Sequence, residues 1–201
     1  MSNQQTVFVV DDDDAVREVL IWLMESVQLP TECYSTAKDF LDAVSPDRQG
    51  CALLDVRMPG MSGIELQREM KRIGVDMPVI IITGHGDVPM AVHAMKEGAF
   101  DFIEKPFNNQ VLLDRVQAAL AQGEEAIKAK AEKAVAEERM DQLTERERQV
   151  LSHVVAGDTN KAIARSLNIS TKTVEAHRAK VMRKMGASSL AELVRLANTE
   201  S

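Results

Sequence analysis

Three aspartates, a threonine and a lysine lie at or just after the ends of short apolar segments of this 201-residue sequence. Asp11 and Asp12 follow VFVV, Asp55 ends CALLD, Thr83 ends PVIIIT, and Lys105 comes two residues after FDFI. If these segments are parallel strands, their carboxyl ends share one edge of a sheet, which is where such sheets bind ligands. The spacing therefore predicts three carboxylates, a hydroxyl and an ammonium at one edge.

This set of groups is suited to phosphoryl chemistry with a hard cation. Neighbouring carboxylates resist joint ionisation unless a cation lies near them, and Mg²⁺ binds one or two carboxylates while keeping positions for phosphate oxygens. Asp55 would be the nucleophile, Mg²⁺ and Lys105 would offset charge on the phosphoryl oxygens, and Thr83 would hydrogen-bond the acyl phosphate. A single aspartate at a strand end is more often a helix cap, and we assign only that role to Asp13 or Asp14.

Strand and helix patterns alternate over the first 121 residues. The strand segments are short and apolar, and the helical segments carry apolar residues at three- and four-residue spacing. Strands are predicted at 6–10, 31–35, 51–55, 78–83 and 100–103, and helices at 14–28, 36–44, 62–73, 87–97 and 108–121. Because such alternation requires right-handed crossovers, the predicted fold class is α/β, with a mostly parallel five-stranded sheet between helices.

The composition is that of a globular protein with two unlike halves. Hydrophobic residues make up 45% and charged residues 27% of the chain, whose net charge is −7. Residues 1–121 contain 10 basic and 19 acidic residues, whereas residues 141–201 contain 10 and 7. The basic C-terminal segment favours nucleic acid as its partner. Without a signal segment or an apolar membrane span, we expect a cytoplasmic protein, with free thiols at Cys33 and Cys51.

A segment rich in alanine, glutamate and lysine separates the two halves. Residues 122–140 contain few large apolar side chains, which is typical of a helical spacer. Gly123 marks a plausible hinge near its start. We therefore divide the chain into an α/β domain at 1–121, a helical linker at 122–140 and a small all-α domain at 141–201.

The last segment has the pattern of a helix-turn-helix. KAIARSL and TKTVEAHRAKVMRKM are helical and flank the turn LNIS, while Thr144 and Glu147 form a capping-box pattern at the start of an earlier helix. At 100° per residue, Val174, His177, Val181 and Met185 fall on the inward side of the second helix. Lys172, Ala176, Ala179 and Arg183 fall opposite, with Glu175 and Lys180 on the flanks. This outward face fits DNA, although a solvated charged face is the commoner role of such a helix.

Four segments of the N-terminal half resemble the receiver domain of two-component response regulators, most closely the FixJ branch of the FixJ/NarL type. They are VVDD (9–12), DVRMPGMSG (55–63), ITGHGDVPMAV (82–92) and DFIEKPF (101–107). The resemblance implies a flavodoxin-like domain in which Asp55 accepts a phosphoryl group from a sensor histidine kinase. It also implies Mg²⁺ ligands at Asp11, Asp12, Asp55 and the Arg57 backbone carbonyl, phosphate contact by Lys105, a Thr83–Phe102 switch pair and a cis Lys105–Pro106 bond.

The C-terminal half resembles the LuxR-type DNA-binding domain through LTERERQVL (143–151), NKAIA (160–164) and TVEAHRAKVMRKM (173–185). By position, this resemblance puts Glu175, Ala176 and Ala179 nearest the bases. Lys161, Lys172 and Lys180 would lie nearest the phosphates, and Arg183 also belongs to the predicted DNA-binding set. Arg178 lies toward the inward side, where we expect it either to reach a phosphate or to pair with a carboxylate.

Together these features predict a response regulator that forms a homodimer on phosphorylation and binds double-stranded DNA to control transcription. RNA polymerase is a further candidate partner. Val88, Val92 and Met95 on the helix at 87–97 form the expected dimer face, although a core stripe explains them equally well. Two rival classes are an aspartyl phosphatase, whose usual second aspartate is replaced here by Arg57, and a DNA-binding protein with a vestigial receiver.

Overall fold

The computed structural model describes residues 5–84 and 88–198 and forms two compact units, Met1–Ala126 and Ile127–Ser201. In chain order the elements are β1 (Thr6–Val10), α1 (Asp14–Glu25), β2 (Thr31–Tyr34), α2 (Ala37–Ala43), β3 (Gly50–Asp55), α3 (Gly63–Arg72), β4 (Val79–Thr83), α4 (Val88–Lys96), β5 (Asp101–Glu104), α5 (Asn109–Asp141), α6 (Glu145–Val155), α7 (Asn160–Ser166), α8 (Thr171–Met185) and α9 (Leu190–Ala197). No helix in these described ranges is both long and apolar enough to cross a membrane.

The first unit is built on a parallel sheet with strand order β2-β1-β3-β4-β5. Every residue of β1, β3 and β4 is buried, because each of these strands has a helix layer on both sides. Phe8, Leu54 and Ile81 pack with α2, α3 and α4, while Val9 and Ile80 pack with α1 and α5 on the other face. The predicted α/β fold is confirmed.

The strand order creates a crevice between β1 and β3. From β1 the chain moves outward to β2 and then returns to β3 on the other side of β1. The crossover helices therefore lie on opposite faces, which opens a crevice at the carboxyl ends of β1 and β3. Asp11 directly follows β1, and Asp55 is the last residue of β3.

The predicted and observed helices differ mainly at their ends. The first helix ends at Glu25, three residues before Gln28 adopts a left-handed conformation with φ 60°. Asp87, the predicted first residue of another helix, lies outside the described residues. Residues 122–140 lie inside α5, where Gly123 is buried and a Cβ would stand 3.2 Å from the Pro78 ring. Close packing against Pro78 accounts for this glycine better than a hinge.

The second unit consists of the end of α5 and four short helices around a small apolar core. A hydroxyl side chain caps the N-terminus of each of these four helices: Thr144, Thr159, Ser170 and Ser189. Gly186 ends α8 in the left-handed conformation that glycine adopts without steric cost. The predicted capping box at α6 is present, with Thr144 and Glu147 bonded reciprocally.

An ion pair between a partly exposed lysine and a buried glutamate links α8 to the start of α6. Lys184 Nζ lies 2.6 Å from Glu147 Oε2, and the Glu147 side chain is only 5% exposed. The hydrogen bond from Lys184, followed by that from the Thr144 backbone, lowers the pKa of Glu147 to about 2. Neither end of this pair is deducible from helical periodicity, because 37 residues separate the two side chains.

Lys184→Met is expected to destabilise the second unit by about 2 kcal/mol at pH 7, because Glu147 loses its cation while remaining buried. A depressed carboxyl pKa stabilises the fold above its unfolded value, and the contribution disappears as the pH falls toward 2. The difference in stability between the wild type and the variant should therefore shrink as the pH falls toward 2. The loss in stability is measured from the temperature at which the NMR amide signals of α6 and α8 disappear in the full-length protein, at several pH values. Exposed Lys133→Met is the matched control, and an equal deficit in that control would contradict the assignment.

Candidate functional site

The carboxyl edge of the sheet holds an acidic cleft with one ammonium inside it. Asp11 and Asp55 are 2% and 7% exposed, respectively. Lys105 Nζ lies between them, 2.6 Å from Asp11 Oδ2 and 2.8 Å from Asp55 Oδ1. Thus β1, β3 and the segment after β5 bring together three of the predicted site residues.

Short turns at the strand ends fix both buried carboxylates. Asp11 Oδ1 accepts a hydrogen bond from the Asp13 backbone N–H at 2.9 Å, and Asp55 Oδ2 accepts one from the Arg57 N–H at 2.6 Å. Asp13 in turn caps α1 by accepting from the Ala15 N–H at 2.9 Å. The four consecutive aspartates therefore divide their roles: Asp11 is buried in the cleft, while the capping role predicted for Asp13 or Asp14 belongs to Asp13.

Burial and pairing have opposite effects on the ionisation of the cleft. Burial raises the pKa of Asp11, even though Lys105 and the Asp13 backbone N–H stabilise its charged form. For Lys105, burial lowers the pKa, but its hydrogen bonds to Asp11 and Asp55 and the two negative charges outweigh burial and raise it overall. Lys105 therefore remains a cation between two carboxylates.

The oxygen donors of the cleft suit Mg²⁺. No group of three or more His, Cys, Asp or Glu residues within the described ranges is placed to hold a metal ion by side chains alone. Mg²⁺ does not require such a group, because it typically uses one or two carboxylates and retains water. Asp11 and Asp55 share one ammonium, exposed Asp12 adds a further negative charge, and Arg57 also lines the cleft. The uncompensated negative charge favours a divalent cation.

Thr83 and Phe102 lie on the same face of neighbouring strands. Thr83 ends β4 and is buried in the cleft wall, and its carbonyl accepts from the Lys105 N–H at 2.8 Å. Phe102 pairs with Ile81, two residues before Thr83, so both side chains point toward the layer that contains α4. Phe102 is half-buried against that core. The Lys105–Pro106 peptide bond is cis, as the resemblance implied.

Helix α8 presents a continuous exposed face. Val174, Val181 and Met185 are buried in the second unit's core, and His177 is half-buried. All predicted DNA-contacting residues are exposed: Lys161 on α7 and Lys172, Glu175, Ala176, Ala179, Lys180 and Arg183 on α8. The small alanines leave room for close approach, with cationic side chains around them.

Comparison with known proteins decides the family. The model of the response regulator receiver domain matches residues 7–117, and the model of the bacterial regulatory proteins of the luxR family matches residues 141–197. The chain belongs to the response-regulator family. It joins a receiver domain to a LuxR-type DNA-binding domain, as both resemblances indicated.

Relatives with the same architecture cover nearly the whole response regulator. The transcriptional regulatory protein FixJ of Azorhizobium caulinodans is 49% identical over 197 residues, covering 98% of this chain and 93% of the relative. The transcriptional regulatory protein TdiR of Thauera aromatica is 45% identical over 192 residues, covering 96% and 85%. The solved response regulator StyR has a TM-score of 0.83 at 45% identity, covering 97% of this chain and 98% of that chain. Full-length FixJ from B. japonicum has a TM-score of 0.60 at 45% identity and 98% coverage of both.

Arg178 of the response regulator contacts an amide instead of the carboxylate that was one of its two predicted partners. Its Nη1 donates to Asn160 Oδ1 at 2.9 Å, which joins α8 to the first residue of α7. The partner is a carboxamide rather than a carboxylate, and contact of Arg178 with a DNA phosphate stays a prediction. Helical periodicity correctly gave the inward direction of Arg178, but the facing residue belongs to another helix.

Helix α4 of the receiver exposes its large apolar side chains. Val88, Val92 and Met95 are 77%, 47% and 46% exposed, and Ala94 is the buried residue of this helix. The core-stripe explanation of these residues is therefore wrong. An exposed apolar stripe on one helix is typical of an interaction surface.

One contact near the cleft was not anticipated. Arg17 Nη1 donates to the Asp11 backbone carbonyl at 2.5 Å, while its Nη2 pairs with Asp14. Arg17 thereby holds the backbone carbonyl of Asp11 in place, while the Asp11 side chain contacts Lys105. The only sequence signal is its helical position three residues after Asp14.

Proposed function

We propose that this protein is a transcription factor controlled by phosphorylation of Asp55. A sensor histidine kinase is the proposed donor, and double-stranded DNA is the proposed target of the second unit. The observation that carries the proposal is the pairing of Lys105 Nζ with both Asp55 and Asp11 in a cleft at the strand ends. The relatives named as transcriptional regulators support the outcome, control of transcription.

The phosphoryl transfer requires one nucleophile and a set of positioned charges. An oxygen of Asp55 bonds to phosphorus as the bond from phosphorus to the kinase imidazole nitrogen breaks, and that nitrogen keeps the electron pair. Asp11, Asp12, Asp55 and the Arg57 carbonyl would hold Mg²⁺, which offsets charge on the phosphoryl oxygens when bound. Once Asp55 is phosphorylated, the negative charge lies on the phosphoryl oxygens and no longer on the carboxylate. Lys105 would therefore give up its contact with Asp55 and contact the phosphoryl oxygens.

The switch connects the phosphoryl group to α4. We propose that Thr83 donates its hydroxyl to the new phosphoryl oxygens and that Phe102, on the same sheet face, repacks with it. Both residues adjoin the layer of α4, whose apolar stripe then forms a homodimer face. A solved relative, the NtrC4 receiver domain, is described as a beryllofluoride-activated dimer, at 32% identity and a TM-score of 0.55.

DNA binding is proposed for the exposed face of α8 and the start of α7. Glu175, Ala176 and Ala179 would approach base edges, and Lys161, Lys172, Lys180 and Arg183 would contact phosphates. We retain the domain limits 1–121, 122–140 and 141–201. Because the target is chromosomal DNA, the protein would act in the cytoplasm, with RNA polymerase as a further partner.

The proposal is tested by the intact mass of the full-length protein after incubation with acetyl phosphate. We expect one phosphoryl group per chain in the presence of Mg²⁺ and none when the metal is chelated. An aspartyl phosphatase would not accumulate the adduct, because it hydrolyses its own intermediate. A vestigial receiver would form none under either condition. Either result would overturn the proposal.

Val92→Glu is expected to leave phosphorylation unchanged and to weaken dimerisation of the phosphorylated protein by roughly 10-fold or more, because it buries a charge in an apolar interface. The side chain is exposed in the unpaired chain, so folding should be unaffected. Sedimentation equilibrium with phosphodonor and Mg²⁺ measures the change. Val111→Glu, on an equally exposed valine of α5, is the matched control. Equal dimerisation of the two variants would exclude α4 from the interface.

A further inference from the structure

The last turns of α5 pack into the second unit. Ala136, Arg139 and Met140 are spaced by three and four residues and therefore share one face of the helix. Ala136 is only 2% exposed, and Met140 packs against the core cluster that contains Val181 and Met185 of α8. The segment proposed as a linker thus ends in contact with the DNA-binding unit, and this contact face carries one cation, the guanidinium of Arg139.

Arg139 caps the C-terminal end of α8. Its Nη1 donates to the Met185 backbone carbonyl at 2.8 Å, across 46 residues of chain. The last carbonyls of a helix have no partner within the helix. The Met182 carbonyl accepts from the Ala187 backbone N–H at 3.0 Å, whereas the Met185 carbonyl accepts from the arginine. The positive charge also suits the negative end of the helix dipole.

Gly186, the residue after α8, leaves the space that this contact needs. A Cβ at this position would stand 2.7 Å from Arg139 Nη1 and 3.0 Å from its Cζ, so the guanidinium lies directly against the glycine. Lys184 makes a second link, from its Nζ to the Gln142 backbone carbonyl at 3.0 Å. One side chain from α5 and one from α8 therefore hold the last turn of α8 to the end of α5.

The position of this end affects the whole outward face of α8. Ala176 lies nine residues before Met185, which is roughly 13 Å along the helix axis. A tilt of about 5° at the C-terminal end would therefore move Ala176 by about 1 Å. Hydrogen bonds to base edges tolerate less than that, because their donor–acceptor distances span only about 0.5 Å.

We infer that Arg139 is a positioning residue for DNA binding. It fixes the C-terminal end of α8, and hence the approach of Ala176 and Ala179 to the bases, without contacting DNA itself. The inference rests on the proposed function, because it requires that α8 bind DNA. It adds to that function a residue of α5, from the segment proposed as a linker.

Two substitutions of Arg139 test this role in the full-length protein. Arg139→Met removes the donors and keeps an apolar stem, whereas Arg139→Lys keeps a cation and a donor. Wild type and variants, with acetyl phosphate and Mg²⁺, are titrated with a duplex that the wild type has selected from random sequences. We expect Arg139→Met to bind roughly 3- to 10-fold more weakly, less than the loss of a whole base contact. Arg139→Lys should bind within about twofold of the wild type.

The dependence of affinity on salt separates positioning from direct contact with DNA. Each phosphate contact contributes about 0.9 to the slope of log K against log salt. Arg139→Met should therefore leave the slope unchanged, whereas Lys172→Met, at a proposed phosphate contact, should reduce its magnitude by about 0.9. Lys133→Met is the matched control, because it removes a charge from an exposed position of the same helix, and it should bind like the wild type.

Thermal unfolding of the same preparations separates positioning from a purely structural role. The weaker binding of Arg139→Met should persist at temperatures where its α8 amide signals in NMR show a folded helix. The inference is overturned if Arg139→Met binds like the wild type and only unfolds at a lower temperature. A fall in slope equal to that of Lys172→Met would also overturn it, because Arg139 would then contact a phosphate. Both results leave the proposed function standing, whereas a wild type that selects no duplex would overturn that function as well.

Discussion

Asp55→Asn is expected to abolish stable phosphorylation of the full-length protein while leaving its fold intact. With Mg²⁺ and acetyl phosphate, the wild-type chain should gain one phosphoryl group, and the variant should gain roughly 100-fold less or none. An asparagine amide has almost the same volume as the carboxylate, but it is too weak a nucleophile to attack phosphorus.

The geometry of the cleft explains why the fold should tolerate this change. Asp11 and Asp55 share one ammonium, that of Lys105, so the wild-type group of three carries an excess negative charge. Asp55→Asn leaves a balanced pair of Asp11 and Lys105, and the amide oxygen can still accept from the Arg57 N–H. We therefore expect equal or slightly greater thermal stability.

Intact mass and thermal unfolding of the same preparations measure both effects. Asp42→Asn is the matched control, because Asp42 is exposed on α2 and lies outside the cleft. That control should be phosphorylated like the wild type. Full phosphorylation of Asp55→Asn would instead assign the acceptor to another carboxylate, and Asp12 would be the first to test.

Ala179→Glu is expected to reduce DNA binding by roughly 10- to 100-fold without unfolding the second unit. The methyl group of Ala179 is exposed on α8, so a longer side chain meets no protein atom in the core. In a complex with DNA, the same side chain would both block close approach to base edges and bring an anion near the phosphates. A loss of about 1–3 kcal/mol is typical of a disrupted base contact.

The measurement needs a DNA site selected first by the wild-type protein from random duplexes, followed by titration of phosphorylated wild type and variant at one salt concentration. Ala118→Glu adds the same charge to an exposed alanine of α5 in the receiver unit and is the matched control. An equal effect of both substitutions would indicate a general charge effect. No effect of either would remove the α8 face from the DNA interface.

Features that depend on local pattern could be predicted from the sequence. Short apolar runs identified the strands and a hydrophobic spacing of three to four residues identified the helices, and hence the edge at which Asp11 and Asp55 meet. Periodicity along α8 also separated Val174 and Val181, which are buried, from Ala176 and Ala179, which are exposed. These outcomes follow because backbone geometry alone sets the direction of each side chain along a regular element.

Features that depend on a partner distant in the chain were decided only by the tertiary structure. Lys105 was predicted at the cleft, but its position between two carboxylates, across 94 and 50 residues, required the folded sheet. Arg178 donates to Asn160 rather than to a carboxylate, because α7 presents an amide at that position.

The apolar stripe on α4 shows that the sequence can place side chains on one helix face without deciding whether that face is buried. The spacing of Val88, Val92 and Met95 placed them on one helix face, but the same spacing serves a core or a surface. Only the packed structure, in which Ala94 faces the sheet, left that stripe exposed. Sequence therefore determined which side chains share an edge or a face, because that is local geometry. The tertiary structure decided what each face meets, because burial and pairing depend on the whole packed chain.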